Sequence, residues 1–178
     1  MSGQVAYVES AGDKNQFLHL IVILSGHPVA GFDEVYLDGK LIGEFGSKAY
    51  YELFTGNQPL VCQSLIDASA GRWTANHKLL GCAYIYLKLE YDESLFTSGI
   101  PTVQVVTRGK NDIYDTRSGI FGWSDNPALC ARDYMVLPEA LGGMGCEEGD
   151  ATRAERLTWY ESNSPVYADL YKRIWGMA

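Results

Sequence analysis

The clearest secondary-structure signals of the chain lie in residues 77–134, HKLLGCAYIYLKLEYDESLFTSGIPTVQVVTRGKNDIYDTRSGIFGWSDNPALCARDY. Residues 77–91 are predicted as one long strand. From Ala83 onward the odd positions are apolar, while the even positions change from aromatic to charged. This alternation predicts that one face of the strand is buried and that the other emerges into solvent. Residues 102–107, TVQVVT, are predicted as a second strand because β-branched residues dominate them.

A helix is predicted after the sequence Ser-Asp-Asn-Pro that ends at Pro127. Asn126 is the predicted N-cap, because its side chain can accept a hydrogen bond from a free backbone N–H of the first turn. Pro127 suits the first helical position, where its fixed φ is helical and its missing N–H costs nothing. Leu129, Cys130 and Tyr134 are predicted to form the packed face of this helix.

Upstream of this stretch the sequence predicts further strands. Residues 4–10 alternate as an edge strand would, and residues 17–25, FLHLIVILS, form a nearly continuous apolar run typical of a strand buried on both faces. Residues 34–42 predict a β-hairpin, because Asp38-Gly39 favours the type I′ turn that joins two twisted strands. Residues 50–54 predict another short strand.

A first helix is predicted to open at residues 57–59, with Asn57 as its cap, and to stop at Gly71. Its predicted packing face is Leu60, Val61, Ser64, Leu65 and Ala68. Residues 141–149 predict a Gly-rich loop, and residues 150–162 and 165–175 predict helices. Strands and short helices do not alternate strictly, so the predicted class is α+β, β-rich with several short helices and a mixed or antiparallel sheet.

Charge and composition exclude some classes of protein. Lys plus Arg number 14 and Asp plus Glu number 22, which gives a net charge of -8 and argues against nucleic-acid binding through phosphates. No apolar run approaches the roughly 20 residues that span a bilayer, and the N-terminus lacks the pattern of a signal peptide. We therefore expect a soluble chain that is made in a cytoplasm and does not insert into a membrane.

Catalytic and metal-binding motifs are missing from the sequence. The four cysteines have no CxxC spacing and are expected to be small buried residues with reduced thiols. His19 is expected in the core or at its boundary, His27 lies in a turn, and His77 precedes a strand; no spacing typical of metal ligands joins them. We therefore predict no catalytic residue, no metal ligand, no cofactor and no enzymatic activity, although a triad assembled in space stays an alternative.

The aromatic residues are the remaining candidates for function. Tyr and Trp combine a large contact area with a polar group, which suits interfaces and small cores alike. The predicted interface residues are Tyr50, Tyr51, Tyr84, Tyr86 and Trp123, with use in the core as the alternative.

Three phrases of the sequence resemble tail tip proteins of long-tailed phages, the J-like host-specificity or tip attachment proteins, also called central tail hub proteins. They are FLHLIVILSGHPVAGFDEVYLDGKLI, WTANHKLLGCAYIYLKLEYDESLFTSGIPTVQVVTRGKNDIYDTRSG and WSDNPALCARDY, and the likeness covers roughly residues 5–148. It implies a tail-hub-like α+β domain over residues 1–148. Residues 149–178 are predicted separately as a helical C-terminal segment, and the family offers no match for them.

The resemblance also implies a function. Proteins of this family are virion structural proteins at the tail tip that form a trimeric hub ring with other tail proteins, and they are neither enzymes nor cofactor-dependent. Family members are far longer than this chain. The alternatives that the sequence leaves open are a glycan- or protein-binding module that uses exposed aromatic residues, and a small hydrolase built around a histidine.

Overall fold

The computed structural model describes residues 3–96, 99–149 and 151. The chain divides into two compact units, of which the first ends at Gly109 and the second begins at Lys110. The predicted boundary after residue 148 and the predicted helices of residues 150–162 and 165–175 concern mostly residues outside the described ones, and they stay predictions.

The elements of the first unit are β1 (Gln4–Ala11), β2 (Phe17–Ser25), β3 (Gly31–Leu37), β4 (Lys40–Leu41), β5 (Ala49–Phe54), α1 (Gln63–Ala68), β6 (Ala83–Glu90) and β7 (Val103–Arg108), with 3₁₀ turns at Asp13–Asn15 and Ile42–Lys48.

Two antiparallel sheets form the first unit. The larger sheet has the strand order β1-β2-β6-β5, and the smaller has the order β4-β3-β7. Every strand pair in the described part of the chain is antiparallel, which confirms the predicted α+β class and selects the antiparallel alternative. The predicted hairpin is also confirmed, because Asp38 and Gly39 both adopt positive φ angles, 49° and 79°, as a type I′ turn requires.

The core of the unit lies between the two sheets. Alternate residues of the larger sheet face the smaller one, as the two-residue period of a strand requires. They are Leu20, Val22 and Leu24 of β2 and Ile85, Leu87 and Leu89 of β6, which pack with Val35, Leu37, Val103 and Val105 of the smaller sheet. The apolar odd positions of β6 were predicted to be buried, and the structure confirms this.

The opposite face of the larger sheet is also partly covered. Ile21, Tyr84 and Tyr86 on this face pack with Cys62, Leu65 and Trp73, which belong to α1 and its flanking loops. The even positions of β6 therefore do not all emerge into solvent as predicted. Tyr84 and Tyr86 are buried, and the covered region ends before Lys88 and Glu90.

Two predicted boundaries are wrong. The first helix begins at Gln63 and not at residues 57–59, because the Gln58 side chain accepts from the Gly56 N–H at 2.7 Å and donates to the Lys78 carbonyl at 3.2 Å. These bonds hold residues 57–61 in an irregular conformation, and Leu60 stays 74% exposed.

The strand β6 begins at Ala83 and not at residue 77. Leu79 and Gly81 have φ angles of 49° and 82°, which belong to the left-handed region and cannot continue a strand. The Gly81 N–H donates instead to the carbonyl oxygen of Gly56 at 2.9 Å. The chain before β6 is thereby turned toward the loop that precedes α1.

The second unit contains a short hairpin, β8 (Ile113–Asp115) and β9 (Ile120–Gly122), then α2 (Pro127–Val136) and a 3₁₀ turn at Glu139–Leu141. The sequence did not predict the hairpin. The N-cap of α2 is confirmed, since the Asn126 Oδ1 accepts from the Ala128 N–H at 2.9 Å. Leu129 is buried as predicted, but Tyr134 and Cys130 are exposed, so the predicted packing face is wrong at both positions.

Candidate functional site

The predicted interface tyrosines separate into two groups. Tyr84 and Tyr86 are 0% and 1% exposed beneath α1 and its flanking loops, so the alternative predicted for them, use in the core, fits these two positions better than a broad interface. Tyr84 stacks on Phe54 with ring centroids 4.4 Å apart. Tyr50 and Tyr51 of β5 are 50% and 40% exposed and remain candidates for an interface.

Trp123, the remaining predicted interface residue, lies in the second unit and is 63% exposed. It follows β9, whose Ile120 and Phe121 are exposed as well. Phe121 contacts Tyr114 of β8, with ring centroids 4.9 Å apart, which orients one side of the hairpin. β9 and the residue that follows it thus expose three large apolar side chains, Ile120, Phe121 and Trp123.

The strands β1 and β5 form the two outer edges of the larger sheet. Each pairs on its inner side only, and no strand of the described residues pairs with its outer side. The sequence of β1, QVAYVESA, contains neither Lys nor Pro, the residues that commonly protect an edge from pairing. Val5 and Val8 of this strand are about half exposed. The outer side of β1 therefore presents free backbone groups to another strand, although a register shift between Val5 and Tyr7 makes this edge irregular.

The histidines lie apart from one another in the structure. The Nδ1 atom of His19 lies 2.8 Å from the Tyr86 hydroxyl, and the ring of His77 bonds to Thr74 and stacks on Trp73. The ring of His27 bonds to the carbonyl of Pro28 at 2.9 Å. Within the described ranges, no imidazole forms a hydrogen bond with a Ser hydroxyl, a Cys thiol or a carboxylate.

The cysteines do not form an evident reactive site either. All four are free, and burial raises the pKa of the Cys62 thiol to about 12, which keeps it protonated and unreactive at neutral pH. Cys130 is exposed, so its predicted burial is wrong. Among the described residues, no group of His, Cys, Asp and Glu could hold a metal ion, and no helix is long and apolar enough to cross a membrane.

A cleft of about 660 Å³ lies on the face of the larger sheet that α1 only partly covers. Its floor is formed by neighbouring strands, because the register places Tyr50 of β5 and His19 of β2 on either side of Lys88 of β6. Its wall is α1, which contributes Ser64 and Asp67. The remaining lining residues are Phe17, Ser47, Lys48, Ala68, Tyr86 and Glu90.

Charged groups in the cleft are held in place by specific contacts. The Lys48 Nζ lies 2.7 Å from the Glu90 Oε1, and the Lys88 Nζ lies 4.3 Å above the centre of the Phe17 ring. The first contact is an ion pair and the second is a cation–π interaction. Two lysines balance two carboxylates, Asp67 and Glu90, so the lining carries no net charge.

His19 is the buried polar residue of the floor. Burial lowers the pKa of its imidazole, the neighbouring Lys88 ammonium lowers it further, and Glu9 acts weakly in the opposite direction. The ring is therefore neutral at physiological pH, with one nitrogen that donates and one that accepts. Its Nδ1 bonds to Tyr86, and its Nε2 forms no hydrogen bond within the residues that the structure describes.

Next to the cleft, Glu52 of β5 accepts several hydrogen bonds. The Tyr50 hydroxyl donates to its Oε1 at 3.1 Å, and the Ser64 hydroxyl donates to the same oxygen. Both donors line the cleft, so the carboxylate of Glu52 fixes the orientation of a floor residue and of a wall residue at once. The Tyr50 ring also meets the Tyr86 ring edge-on, with centroids 6.4 Å apart.

Sequence reasoning identified only Tyr50 and Tyr86 among the residues of this cleft as candidates. The missing signal was the strand register. Phe17, His19, Lys88 and Glu90 occupy alternate positions of two strands, and only the pairing of Phe17 with Glu90 and of His19 with Lys88 brings them together. Asp67 could not have been assigned to the cleft from the sequence, because the predicted helix began several residues before the observed start of α1 at Gln63.

No family model matches the chain, and no curated protein matches it. Among solved structures, the chain is similar to a chain in the virion of a native gene transfer agent particle, at 21% sequence identity and a TM-score of 0.45. The match covers 79% of this chain and 34% of that chain, so this chain spans about a third of the length of its neighbour.

Proposed function

We propose that this chain is a virion structural protein of a phage and belongs to the tail tip or hub assembly that joins the tail tube to the host-recognition elements. The sequence resemblance to J-like tail tip proteins, which extends over roughly residues 5–148, is the basis for this assignment. The function is assembly with copies of the same chain and with other tail proteins, at the tail tip of the virion, after synthesis in the host cytoplasm. It needs neither catalysis nor a cofactor.

The structural observation that supports an assembling protein is the pair of unpaired sheet edges. Both β1 and β5 end the larger sheet, and their outer sides are unpaired among the described residues; β1 has no Lys or Pro, and its single charged residue, Glu9, is buried and paired with Arg72. A stand-alone protein with such an edge risks aggregation, whereas an assembling protein uses the edge for contact. The exposed tyrosines of β5 extend this surface.

Two different edges suit a closed ring. A ring requires heterologous contacts, in which one surface of a subunit meets a different surface of the next, and the rotation must close. The edge of β1 and the edge of β5 lie at opposite ends of one sheet, so they provide such a pair of different surfaces. We propose a trimer as the closed form.

Sedimentation velocity over a range of protein concentrations tests this proposal. We expect the mass to rise to that of a closed oligomer, and we expect Val8→Lys in β1 to shift the equilibrium toward monomer, because a charge on the edge opposes strand pairing. Leu60→Lys is the matched control, since Leu60 is exposed in the loop before α1 and belongs to neither edge strand. A monomer at all concentrations, or an equal effect of both variants, would contradict the proposal.

A second candidate function is a binding module for glycan or protein that uses exposed aromatic residues. The observation that favours it is the position of Tyr50, whose half-exposed ring lines the cleft beside α1. The two functions are compatible, because the cleft and the outer edge of β1 involve different residues.

A further inference from the structure

We infer that the cleft between α1 and the exposed part of the larger sheet binds an uncharged saccharide. The chemistry of its lining carries this inference: two aromatic rings, a balanced set of charges and a high density of hydroxyl and carboxylate groups occur together on one rigid surface. None of these residues is needed for the proposed edge contacts of β1. Tyr50 lies on β5, the other edge strand of the proposed assembly, whereas Phe17, His19 and Asp67 of the cleft belong to neither edge strand.

The aromatic residues supply the apolar contacts that a sugar ring requires. Phe17 and Tyr50 both line the cleft. Phe17 lies on β2 and Tyr50 on β5, so β6 separates the two rings across the floor. The C–H groups on one side of a pyranose ring form an apolar surface, which packs against an aromatic ring and excludes water from it. The Lys88 ammonium lies over one face of the Phe17 ring, so the half-exposed Tyr50 ring is the principal surface for a sugar ring.

The charges of the cleft argue against an ionic ligand. A phosphate or sulfate site needs an excess of positive groups, whereas Lys48 and Lys88 are balanced here by Asp67 and Glu90. Lys48 is already paired with Glu90. The neutral imidazole of His19 adds no charge. A neutral ligand with many hydroxyl groups is therefore the chemical class that fits.

Hydrogen-bonding capacity remains available in the cleft. The Asp67 Oδ1 accepts from Gln63 at 2.7 Å, and its Oδ2 forms no hydrogen bond with the part of the chain that is described. The Nε2 of His19 likewise forms no hydrogen bond with the described residues. A sugar hydroxyl is both a donor and an acceptor, so it can donate to the aspartate oxygen and exchange a hydrogen bond with the imidazole.

A polypeptide fits the cleft less well. Peptides that bind to sheets do so at an edge, where free backbone N–H and C=O groups are available. The floor of this cleft includes β6, which is paired on both sides with β2 and β5. β6 therefore offers side chains and no free backbone groups, and the free backbone groups of β5 lie along the outer side of that strand and not on the face that forms the floor.

Rigidity supports a binding site as well. Tyr50 and Ser64 donate hydrogen bonds to the same Glu52 carboxylate oxygen, and Tyr86 is fixed by its bond to His19. Polar groups that are already oriented lose little freedom when a ligand binds, which increases affinity. Floor and wall are thus organised before any ligand arrives.

The test is a titration of the whole chain with neutral oligosaccharides, followed by ¹H–¹⁵N correlation spectra. The probes are maltotriose, mannotriose, galactotriose and chitotriose, with inorganic phosphate as the anionic arm and glucose, mannose, galactose and N-acetylglucosamine as the single-sugar arm. We expect saturable shifts of the amides of Phe17, Tyr50 and Asp67 with at least one trisaccharide and none with phosphate. Saturation only by a trisaccharide would indicate a polymeric glycan, and equal saturation by its single sugar would indicate a free sugar.

The variants use a matched pair of neighbouring tyrosines. Tyr50→Ala removes a ring from the cleft and is expected to weaken binding about tenfold, which corresponds to about 1.4 kcal/mol. Tyr51→Ala removes a ring of the same type with comparable exposure that does not line the cleft. This substitution should leave the affinity within about twofold, or about 0.4 kcal/mol. Asp67→Asn provides a second test on the wall, with an expected loss of affinity.

Several outcomes would overturn the inference. They are the absence of saturable shifts at the cleft with all the saccharides, shifts at the cleft with phosphate alone, and an equal loss of affinity in Tyr50→Ala and Tyr51→Ala. Thermal unfolding of each variant checks that it is folded. If Tyr50→Ala does not fold, Asp67→Asn decides, because Asp67 is on the outer part of α1 and its replacement keeps the side-chain size.

Discussion

The two buried tyrosines of β6 allow a stringent test of the packing beneath α1, through the substitutions Tyr86→Phe and Tyr84→Phe. Both side chains are almost completely buried on the same face of the same strand, and both substitutions remove only a hydroxyl. They differ in what the hydroxyl does. The Tyr86 hydroxyl lies 2.8 Å from the His19 Nδ1, whereas the Tyr84 hydroxyl is buried without a hydrogen-bond partner among the described residues.

The expected effects have opposite signs. Loss of the Tyr86–His19 hydrogen bond should lower the free energy of unfolding by about 0.5–1.5 kcal/mol, the net value of a typical intramolecular hydrogen bond. Loss of the Tyr84 hydroxyl should be neutral or stabilising, because an unsatisfied buried polar group costs about 1–3 kcal/mol. Burial raises the pKa of Tyr84, and the Cys62 backbone acts in the opposite direction without satisfying the hydroxyl by a complete hydrogen bond.

Amide hydrogen exchange of β6 is the appropriate assay, because the chain has two compact units and global unfolding can mix their transitions. Tyr86→Phe should increase the exchange rates of the Ile85 and Leu87 amides, and Tyr84→Phe should leave them unchanged or slow them. A difference of about 1.4 kcal/mol corresponds to a tenfold difference in exchange. If Tyr84→Phe destabilises the strand as much as Tyr86→Phe does, the described hydrogen bonding of this face is wrong.

Three further predictions concern other parts of the fold. Leu65→Ala should destabilise the first unit by about 2–5 kcal/mol in denaturant unfolding, because Leu65 is the fully buried residue by which α1 packs on the larger sheet. The exposed Leu60→Ala should change stability by less than about 0.5 kcal/mol, and similar effects of the two substitutions would contradict the position of α1. Asn126→Ala should cost about 1 kcal/mol through loss of the cap of α2, measured by exchange of its first amides, and unchanged rates would exclude the cap. The hydrogen bond from Arg72 lowers the pKa of the Glu9 carboxyl in the folded protein. The stabilisation of the fold by this ion pair is therefore complete above the unperturbed Glu pKa of about 4.3, and it is lost as the pH falls through the lowered pKa of the folded state. Glu9→Gln should flatten the acid limb of a plot of stability against pH, and an unchanged slope would refute the Arg72 contact.

Most strands of the first unit could be predicted from the sequence because local signals define them. The apolar run of β2 and the Asp38-Gly39 turn each determine a local structure that the rest of the fold accepts. The capped start of α2 is predictable for the same reason, since Asn126 and the following proline act on their own backbone. In these places local preference and tertiary structure agree.

The failures arise where long-range contacts override local preference. Residues 57–61 carry a helix-start pattern, but the Gln58 side chain bonds to the carbonyl of Lys78, twenty positions away, and prevents the helix. The even positions of β6 look half-exposed in the sequence, but α1 covers Tyr84 and Tyr86. Neither of these two long-range contacts produces a periodic pattern in the amino-acid sequence from which it could be predicted.

The cleft could not be predicted because it depends on strand register. Phe17 and Lys88 are distant in sequence, and a shift of the pairing by one residue would turn every side chain of the strand to the other face. The sequence gives each strand its own pattern but no direct measure of which positions face one another. The hairpin of the second unit was missed because its strands have only three residues each.

The most direct test of the proposed function is immunogold electron microscopy of intact phage particles with an antibody raised against the whole chain. If the chain is a tail tip or hub component, gold particles should label one end of the tail, and the same antibody should detect the protein in purified particles. Particles that carry no label and contain none of the protein would contradict the proposal, and label along the whole tail tube or on the capsid would contradict the tail tip position.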